Sequence, residues 1–486
     1  MPFIIQDSNL RLAAETVCRL VRECGGRAVW VGGCVRDALL GLPVTDVDLE
    51  VYGLSPDALL AALGARFKLD LVGKSFGVIK LQGVPVDVSI PRRESKAGLG
   101  HKGFEVLSDP DLSPVEAARR RDFTVNAIAY DPQDGAVTDP FGGVADLNAR
   151  VLRHVSDHFS EDPLRVLRGM QFVARLGLSP APETVALCRD ITPEGLPGER
   201  VFEEWRKLML KGKAIGAGLD FLRATGWVRY TPELEAMIGC PQEPEWHPEG
   251  DVWKHTLHSL DAFAGERIGN NAEDLIVGLG VLCHDFGKPL TTQVEAGRIR
   301  SRGHCEEGEA PTRAFLERMM APPDLVEEVV PLVIEHLRPH ELFSKKAGDS
   351  AVRRLAVRVG RIDRLVRVAR ADHFGRPPTA PDGYPEGNWL LERARALDVQ
   401  ACAPKPLVMG RHLIAMGLKP GPPFKRILDA CYQAQLDGAF GDEAGGLEFC
   451  RTRVTRMEAK GGARLRGAKA VPLEGGFHDG GNQGLE

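Results

Sequence analysis

The sequence has no long apolar run. Across its 486 residues every hydrophobic piece is broken by charges within roughly ten residues, too short for a signal-peptide core or a membrane-spanning helix. A soluble protein is expected, with no membrane partner. Paired cysteines are also missing: Cys18, Cys24, Cys34, Cys188, Cys240, Cys283, Cys305, Cys402, Cys431 and Cys450 are scattered, with no CxxC spacing. That excludes a tight disulfide framework and suits a reducing cytosol, so a cytoplasmic location is expected. Excess charge of one sign is absent too, since 62 Lys and Arg face 67 Asp and Glu for a net −5. A nucleic-acid partner would therefore be held by local basic patches, not by a globally basic surface. No internal repeat is present.

A chain of this length exceeds a single core and favours several domains. Up to about Arg150, short β-rich runs (Ala28–Val31, Val47–Val51, Val78–Leu81, Val86–Val88) alternate with helical stretches such as Ser55–Leu63. From Pro163 onward, apolar residues recur at helical spacing, as in Leu164–Val173, and few strands are expected. The fold class is α+β: a head with a mixed sheet and helices, then a helical remainder. Gly- and Pro-rich joints at 193–198, 239–250 and 377–387 suggest boundaries. A glycine-rich tail from Lys460 is expected to be disordered.

In the head, Val29-Trp30-Val31 runs into Gly32-Gly33, with Arg36-Asp37 on a short helix ending near Gly41. Paired glycines let the backbone approach a phosphate, and a helix start offers unpaired N–H groups. A plain turn would show the same letters. Beyond it, Asp46-Val47-Asp48-Leu49-Glu50-Val51 has strand period, which puts Asp46, Asp48 and Glu50 on one face and the apolar residues on the other. Nucleotidyl transfer from a triphosphate needs divalent metal, and Mg²⁺ prefers carboxylate oxygens, which an Asp-x-Asp pair provides. Asp87, between Val86 and Val88, is a third candidate carboxylate or a salt-bridged structural residue.

The ordered motifs resemble the class II tRNA nucleotidyltransferase and bacterial poly(A) polymerase family of the DNA polymerase β-like superfamily. They are Gly32-Gly33-x-x-Arg36-Asp37 with Asp46-x-Asp48; Arg120-Arg121-Asp122-Phe123-Thr124-x-Asn126-Ala127; Asp139-Pro140-Phe141-Gly142-Gly143-x-x-Asp146-Leu147; Glu161-Asp162-x-x-Arg165-x-x-Arg168; and Glu199-Arg200 with Glu203. The resemblance covers roughly the first 215 residues and implies CTP, ATP and tRNA as partners and Mg²⁺ as cofactor. It makes Asp46, Asp48 and Asp87 the catalytic candidates, the first two holding Mg²⁺. Gly32, Gly33, Arg36, Arg121, Asp122, Asn126, Asp162, Arg165 and Arg168 become the nucleotide-binding candidates. Arg120, Arg121 and Asn126, read as a helix start, would offer cations and an amide to a triphosphate or ribose. Asp139–Gly143 reads as a turn joining head and neck. Asp162 and Arg165, three apart on one helical face, would in this family present an acceptor and a donor to the incoming base, in place of a template. The stretch Arg92–Arg119, with Arg93, Lys96, His101, Lys102 and three glycines, matches the family's flexible loop, whose length favours an enzyme able to add the terminal adenosine.

A second constellation opens at His247-Pro248-Glu249 and His255 and continues with an apolar helix ending in His284-Asp285. Adjacent His and Asp there are poor core packing but good metal ligands. With His304, His336 and Asp372 this resembles the HD phosphohydrolase pattern. In that pattern His255, His284, Asp285 and Asp372 would hold one divalent metal of unspecified identity, with His304 and His336 candidates for a second. His258 and His340 lie outside it. The expected organisation is a polymerase β-like head at 1–150, a helical neck at 151–240, an HD domain at 241–380, a C-terminal helical region at 381–459 and a tail from 460. CCA addition to tRNA leads the functional readings. Poly(A) polymerase, a CC-only or A-only enzyme, and an HD phosphohydrolase with an RNA-binding head stand behind it.

Overall fold

The structure is a computed structural model that describes residues 5–70, 78–96, 104–376 and 383–460. His101, Lys102 and the loop glycines at 98, 100 and 103 lie outside the described residues, as does the tail beyond Lys460. The chain divides into two units, Met1–His336 with Arg367–Gly383, and Leu337–Val366 with Tyr384–Glu486.

The first unit begins with the head. Its strands are β1 (Arg27–Val31), β2 (Val47–Tyr52), β3 (Leu69–Asp70), β4 (Val78–Leu81), β5 (Val86–Ser89), β6 (Arg92–Lys96), β7 (Phe104–Ser108), β8 (Ala129–Tyr130) and β9 (Val137–Thr138). Seven form one sheet in the order β3-β4-β5-β2-β1-β8-β9, while β6 and β7 pair as a separate hairpin. Only β2 and β5 run parallel within the seven, so the sheet is mixed as expected. Alternation sets its faces: Val47, Leu49, Val51, Val86 and Val88 are fully buried. Against them packs α1 (Ser8–Glu23) with Ala14, Val17 and Val21 buried, and α3 (Pro56–Gly64), with Leu59 and Leu63 buried, packs on α1. Each such Val or Leu contributes about 1.5–3 kcal/mol by leaving water. The remaining positions of β2 carry the carboxylates on the other face. Between β1 and β2 runs α2 (Gly33–Leu39), starting directly from Gly32.

Beyond the head the described residues of the unit are helical apart from a short parallel pair, Val151–Leu152 with Ser179–Pro180, and one hairpin, Thr292–Glu295 with Arg298–Ser301. Helices Leu164–Leu176, Gly198–Lys211 and Ile215–Ala224 pack together. Helices Val252–Gly265, Asn271–Cys283 and Pro323–Glu335 follow, and Asn271–Cys283 packs against both of the others. The second unit has its own core of Val408, Leu413, Leu418, Ile427, Cys431, Cys450 and Val454.

Two local expectations change. Arg120 and Arg121 end a helix instead of starting one. Ser113 and Glu116 form a reciprocal cap that starts the helix Pro114–Arg119, and the chain then turns through Thr124–Asn126. Asp162 is not on the helix that holds Arg165: it is extended at φ −121°, ψ 99°, and the helix begins at Leu164. Pro163 explains this, because a proline disfavours helical geometry in the residue before it.

Candidate functional site

The acidic face of β2 opens into a cavity of about 270 Å³. The structure brings Gly32, Gly33, Arg36, Asp46, Asp48, Arg121, Asp122, Asn126 and Arg168 to its wall. Asp87, Asp162 and Arg165 do not line it. Asp46 accepts a bond from Thr45 Oγ1 at 2.9 Å. Asp48 is open to the cavity, yet surrounding protein and the charges of Asp46 and Asp87 together push its carboxyl up to about 6, against a pull from Arg121. A carboxylate so crowded by like charge favours a divalent cation, so the donor set fits one. Asp87 sits in register opposite Asp48 across β2 and β5. Its side chain is 37% exposed and faces Lys80 at 3.4 Å, so it is not the costly buried charge its apolar neighbours suggested.

Gly32 has φ +74°, and a side chain there would meet Arg121 Nη1 at 3.2 Å and Asp48 Oδ2 at 3.7 Å. The glycine both permits the turn and leaves the floor of the cavity open. Arg121 reaches Glu50 Oε1 at 3.4 Å from the opposite side.

Behind the carboxylates stands a chain of alternating charge. Arg175 bonds Asp37 at 3.0 Å, Asp37 bonds Arg36, and Arg36 donates to Asn126 Oδ1 at 2.6 Å. Asn126 donates to Asp122 Oδ1 at 2.9 Å, and Arg168 donates to Asp122 Oδ2 at 2.7 Å. Phe172 is held between two guanidinium groups, Arg36 at 5.1 Å and Arg168 at 5.3 Å from its ring centre. Sequence reasoning missed Phe172, Gln171, Arg175, Lys207 and Lys211, all on this wall. The pairs 171/175 and 207/211 are spaced four apart, a signal for one helix face that does not say which face meets the sheet.

Burial pushes Asp122 up, but the Arg168 charge, the Asn126 amide and the Arg165 charge outweigh it and bring the carboxyl down to about 2. A depressed acid stabilises the fold above its unfolded value and loses that contribution as pH falls through its folded one. The drop from 3.8 to about 2 corresponds to about 2.5 kcal/mol. Between pH 5 and pH 2, the unfolding free energy of wild type is expected to fall more steeply than that of Asp122→Asn, measured by urea titration at each pH. Parallel curves would show that the ion pair contributes nothing.

Arg165 is engaged elsewhere: its two arms donate to the carbonyls of His158 and Arg120 at 2.6 Å each. Asp162 accepts from Arg200 at 3.0 Å and from the backbone of Leu164 at 3.2 Å.

The second constellation is assembled as one buried cluster. His255, His284, Asp285, His304, His336 and Asp372 are all under a tenth exposed. His255 Nε2 lies 2.9 Å from Asp372 Oδ1 and 3.3 Å from His284 Nε2, which lies 3.2 Å from Asp285 Oδ2. Three rings are fixed in the same manner. His284, His304 and His336 donate Nδ1–H to the carbonyls three residues back, Val281, Ser301 and Val333, at 2.7–2.8 Å. A carbonyl only accepts, so each Nδ1 carries a proton, and in the neutral ring Nε2 presents the lone pair. His255 is oriented by Glu249, whose Oε1 accepts from both His247 and His255 at 2.8 Å. Nothing in the spacing of His247, Glu249 and His255 signals this role in the sequence. Burial raises Glu249, but its two imidazole hydrogen bonds prevail and bring it to about 2.

Burial would also raise Asp285 and Asp372, but His284 and Lys288 hold the first, and His255 and Arg376 the second, well below the carboxylate range. Burial, then the neighbouring rings of His284 and His304, bring His336 down to about 3, so it stands neutral and able to ligate. Neither oxygen of Asp285 accepts a hydrogen bond among the described residues, although Lys288 Nζ lies 2.7 Å from Oδ2. Buried carboxylate oxygens in that state, facing imidazole lone pairs, fit a divalent cation. Gly287 lets the two segments close: a side chain there would collide with the His304 carbonyl.

A mixed sheet with an acidic pair, a glycine turn and an arginine-rich wall defines a nucleotidyltransferase head, and the Poly A polymerase head domain family matches residues 28–153. The Multifunctional CCA protein of Xanthomonas campestris pv. campestris (strain B100) is 40% identical over 76% of this chain and 91% of its own length. That of Xylella fastidiosa (strain M23) is 39% identical over 76% of this chain and 89% of its own. Among solved structures, the Bacillus stearothermophilus CCA-adding enzyme in complex with CTP matches with a TM-score of 0.64 at 22% identity, covering 93% of this chain and all of that one. The chain belongs to the multifunctional CCA protein family of CCA-adding nucleotidyltransferases. Enzymes of this family are metal-dependent. Among the described residues no helix is long and apolar enough to cross a membrane.

Proposed function

We propose that this protein adds CCA to the 3′ end of tRNA from CTP and ATP, in the cavity beneath β2, and that its His/Asp cluster is a separate phosphohydrolase centre. The observation that carries the first part is the convergence of Asp46 and Asp48 with a cationic wall in one open cavity. Asp46 and Asp48 would hold Mg²⁺, which when bound neutralises triphosphate charge and lowers the pKa of the attacking hydroxyl. The chain's own residues do the positioning. Gly32-Gly33 admits the phosphates, Arg121, Arg175, Lys207 and Lys211 balance their charge, and the buried Arg36–Asn126–Asp122–Arg168 chain keeps that wall rigid. Asp87, the third catalytic candidate, stands in register beside Asp48 on the neighbouring strand.

Incubation with tRNA lacking its last three nucleotides tests this. CTP alone should extend it by two, and CTP with ATP by three. Repeated adenosine addition would favour the poly(A) polymerase reading, and a halt after two with both triphosphates would favour the CC-only enzyme.

For base selection we assign Asp162 and Arg165, in agreement with the family pattern. Their present partners are Arg200 and two backbone carbonyls, so reading a base requires them to exchange those bonds. Arg165→Ala is expected to weaken discrimination between CTP and UTP by about 1–3 kcal/mol while triphosphate affinity changes less. Single-turnover rates with each triphosphate measure it, and an unchanged base preference at a reduced rate would make Arg165 a structural brace.

In the His/Asp cluster, His255, His284, Asp285 and Asp372 would hold a divalent metal, which when bound polarises a phosphoester and activates water. His304 and His336 face the same space. Phosphomonoesters and 2′,3′-cyclic phosphates at damaged RNA ends are the substrates this suits.

A further inference from the structure

A cavity of about 370 Å³ lies where the loop before His247 meets the hairpin Thr292–Glu295 with Arg298–Ser301. Its wall holds Trp246 and three arginines, Arg298, Arg300 and Arg302. Trp246 is 60% exposed, whereas Trp30, Trp205, Trp227 and Trp253 are 1–4% exposed. An indole left in water by a fold that buries these four fits a ring kept for a partner. The arginines stand at alternate positions, so they share one face of the hairpin, and Ile299 and Ser301 between them are half-buried. Their ion pairs are loose and exposed: Arg298 with Glu245 at 3.6 Å, and Arg300 and Arg302 with Glu295 at 3.9 and 3.3 Å. Such pairs contribute about 0–1 kcal/mol each, so phosphate oxygens displace them readily.

Both segments of this cavity run into the His/Asp cluster. Trp246 directly precedes His247, whose partner Glu249 also orients His255. The hairpin is inserted between Asp285 and His304, and the carbonyl of Ser301, on the cavity wall, accepts from His304 Nδ1 at 2.8 Å. The two segments are also tied to each other. Glu243 accepts from the backbone of Ile299 at 3.0 Å, and Gln242 accepts from Lys288 Nζ at 2.7 Å.

We propose that this cavity is the docking platform for single-stranded RNA 3′ ends: a base near the end stacks on Trp246, and Arg298, Arg300 and Arg302 hold backbone phosphates. The terminal phosphate is thereby presented to the cluster. The inference rests on reading that cluster as a phosphohydrolase centre, and it makes the nucleotide, not the phosphate alone, what the centre selects. Stacking on an aromatic ring contributes about 1–3 kcal/mol per base with little regard to sequence, which suits ends of any origin. An acidic peptide would satisfy the arginines but leave the indole without a planar partner. RNA uses both.

Hydrolysis of a short RNA ending in a 2′,3′-cyclic phosphate, compared with p-nitrophenyl phosphate, tests this on the full chain supplied with divalent metal. Trp246→Ala, and separately the combination Arg298→Gln, Arg300→Gln and Arg302→Gln, should each raise KM for the RNA by on the order of tenfold. Its kcat, and the rate with p-nitrophenyl phosphate, should change far less. The triple variant should also flatten the dependence of log KM on log salt by about 2, the share of three phosphate contacts to a single strand. Trp246→Phe should keep most of the affinity, which separates stacking from support of His247. Equal losses with both substrates would make Trp246 a brace for His247 and overturn the platform. A second readout needs no hydrolysis: the same RNA carrying 5-iodouridine beside its end should crosslink to Trp246 on irradiation. A crosslink there from a wild type that hydrolyses neither substrate would keep the platform and remove the phosphohydrolase reading. No crosslink at Trp246, or its loss to polyglutamate as readily as to unlabelled RNA, overturns the platform.

Discussion

Asp48→Ala, like Asp46→Ala, is expected to reduce nucleotide addition by on the order of 10³-fold or more, because either change removes a carboxylate from the proposed metal pair. Melting gives a second readout for Asp48. Its carboxyl is raised from 3.8 to about 6 by the surrounding protein and by Asp46 and Asp87. A raised acid helps the fold below its unfolded pKa, and that contribution is lost as pH rises through the folded value. At pH 7 it is gone, and the ionised Asp48 strains the metal-free head. Asp48→Ala should therefore melt no lower than wild type in the absence of metal. Lost addition with an undiminished melting temperature would mark a residue kept for chemistry. Near-normal addition by both variants would remove these residues from the mechanism.

The other large effect concerns the His/Asp cluster. His284→Ala or Asp285→Asn is expected to bring hydrolysis of phosphomonoesters and 2′,3′-cyclic phosphates to background while CCA addition continues. The two ligand sets share no residue, and the head has its own core. Asparagine is the better change at 285. Lys288 is buried beside that carboxylate at 2.7 Å and otherwise bonds Gln242, so alanine would take from its ammonium the accepting oxygen that an asparagine amide still offers. Both activities should be assayed on one preparation with folding checked by thermal melting. Equal loss of both in a well-folded variant would contradict two independent sites.

Much of this was legible in the letters. The alternation of Asp46, Asp48 and Glu50 with Val47, Leu49 and Val51 gave both the strand and its two faces, since period two leaves no other arrangement once one face is buried. The helix–helix frame followed from 3.6-residue spacing. What failed was local. Asp162 looked helical by its distance to Arg165, but the adjacent Pro163 carried the opposing signal. Arg120 and Arg121 looked like a start, although Ser113-Pro114-x-Glu116 already marked one. Lys207, Lys211 and Arg175 were invisible as site residues because their role depends on which helix face meets the sheet. Glu249 is a different case: its importance lies in joining two imidazoles two and six residues away, which spacing alone does not distinguish from a surface ion pair.

The three histidines that bond carbonyls three residues back also bear on how the proposed metal centre would take up an ion. His284 and His336 each follow directly on the last turn of a long helix, where their Nδ1–H satisfies a carbonyl that has no partner further along the chain. Turning either ring away would orphan that carbonyl in the interior, at about 1–3 kcal/mol. The rings are thus anchored by the fold itself, so the proposed ligand set is held in place without an ion. Binding of an ion at the proposed centre would then need no refolding step.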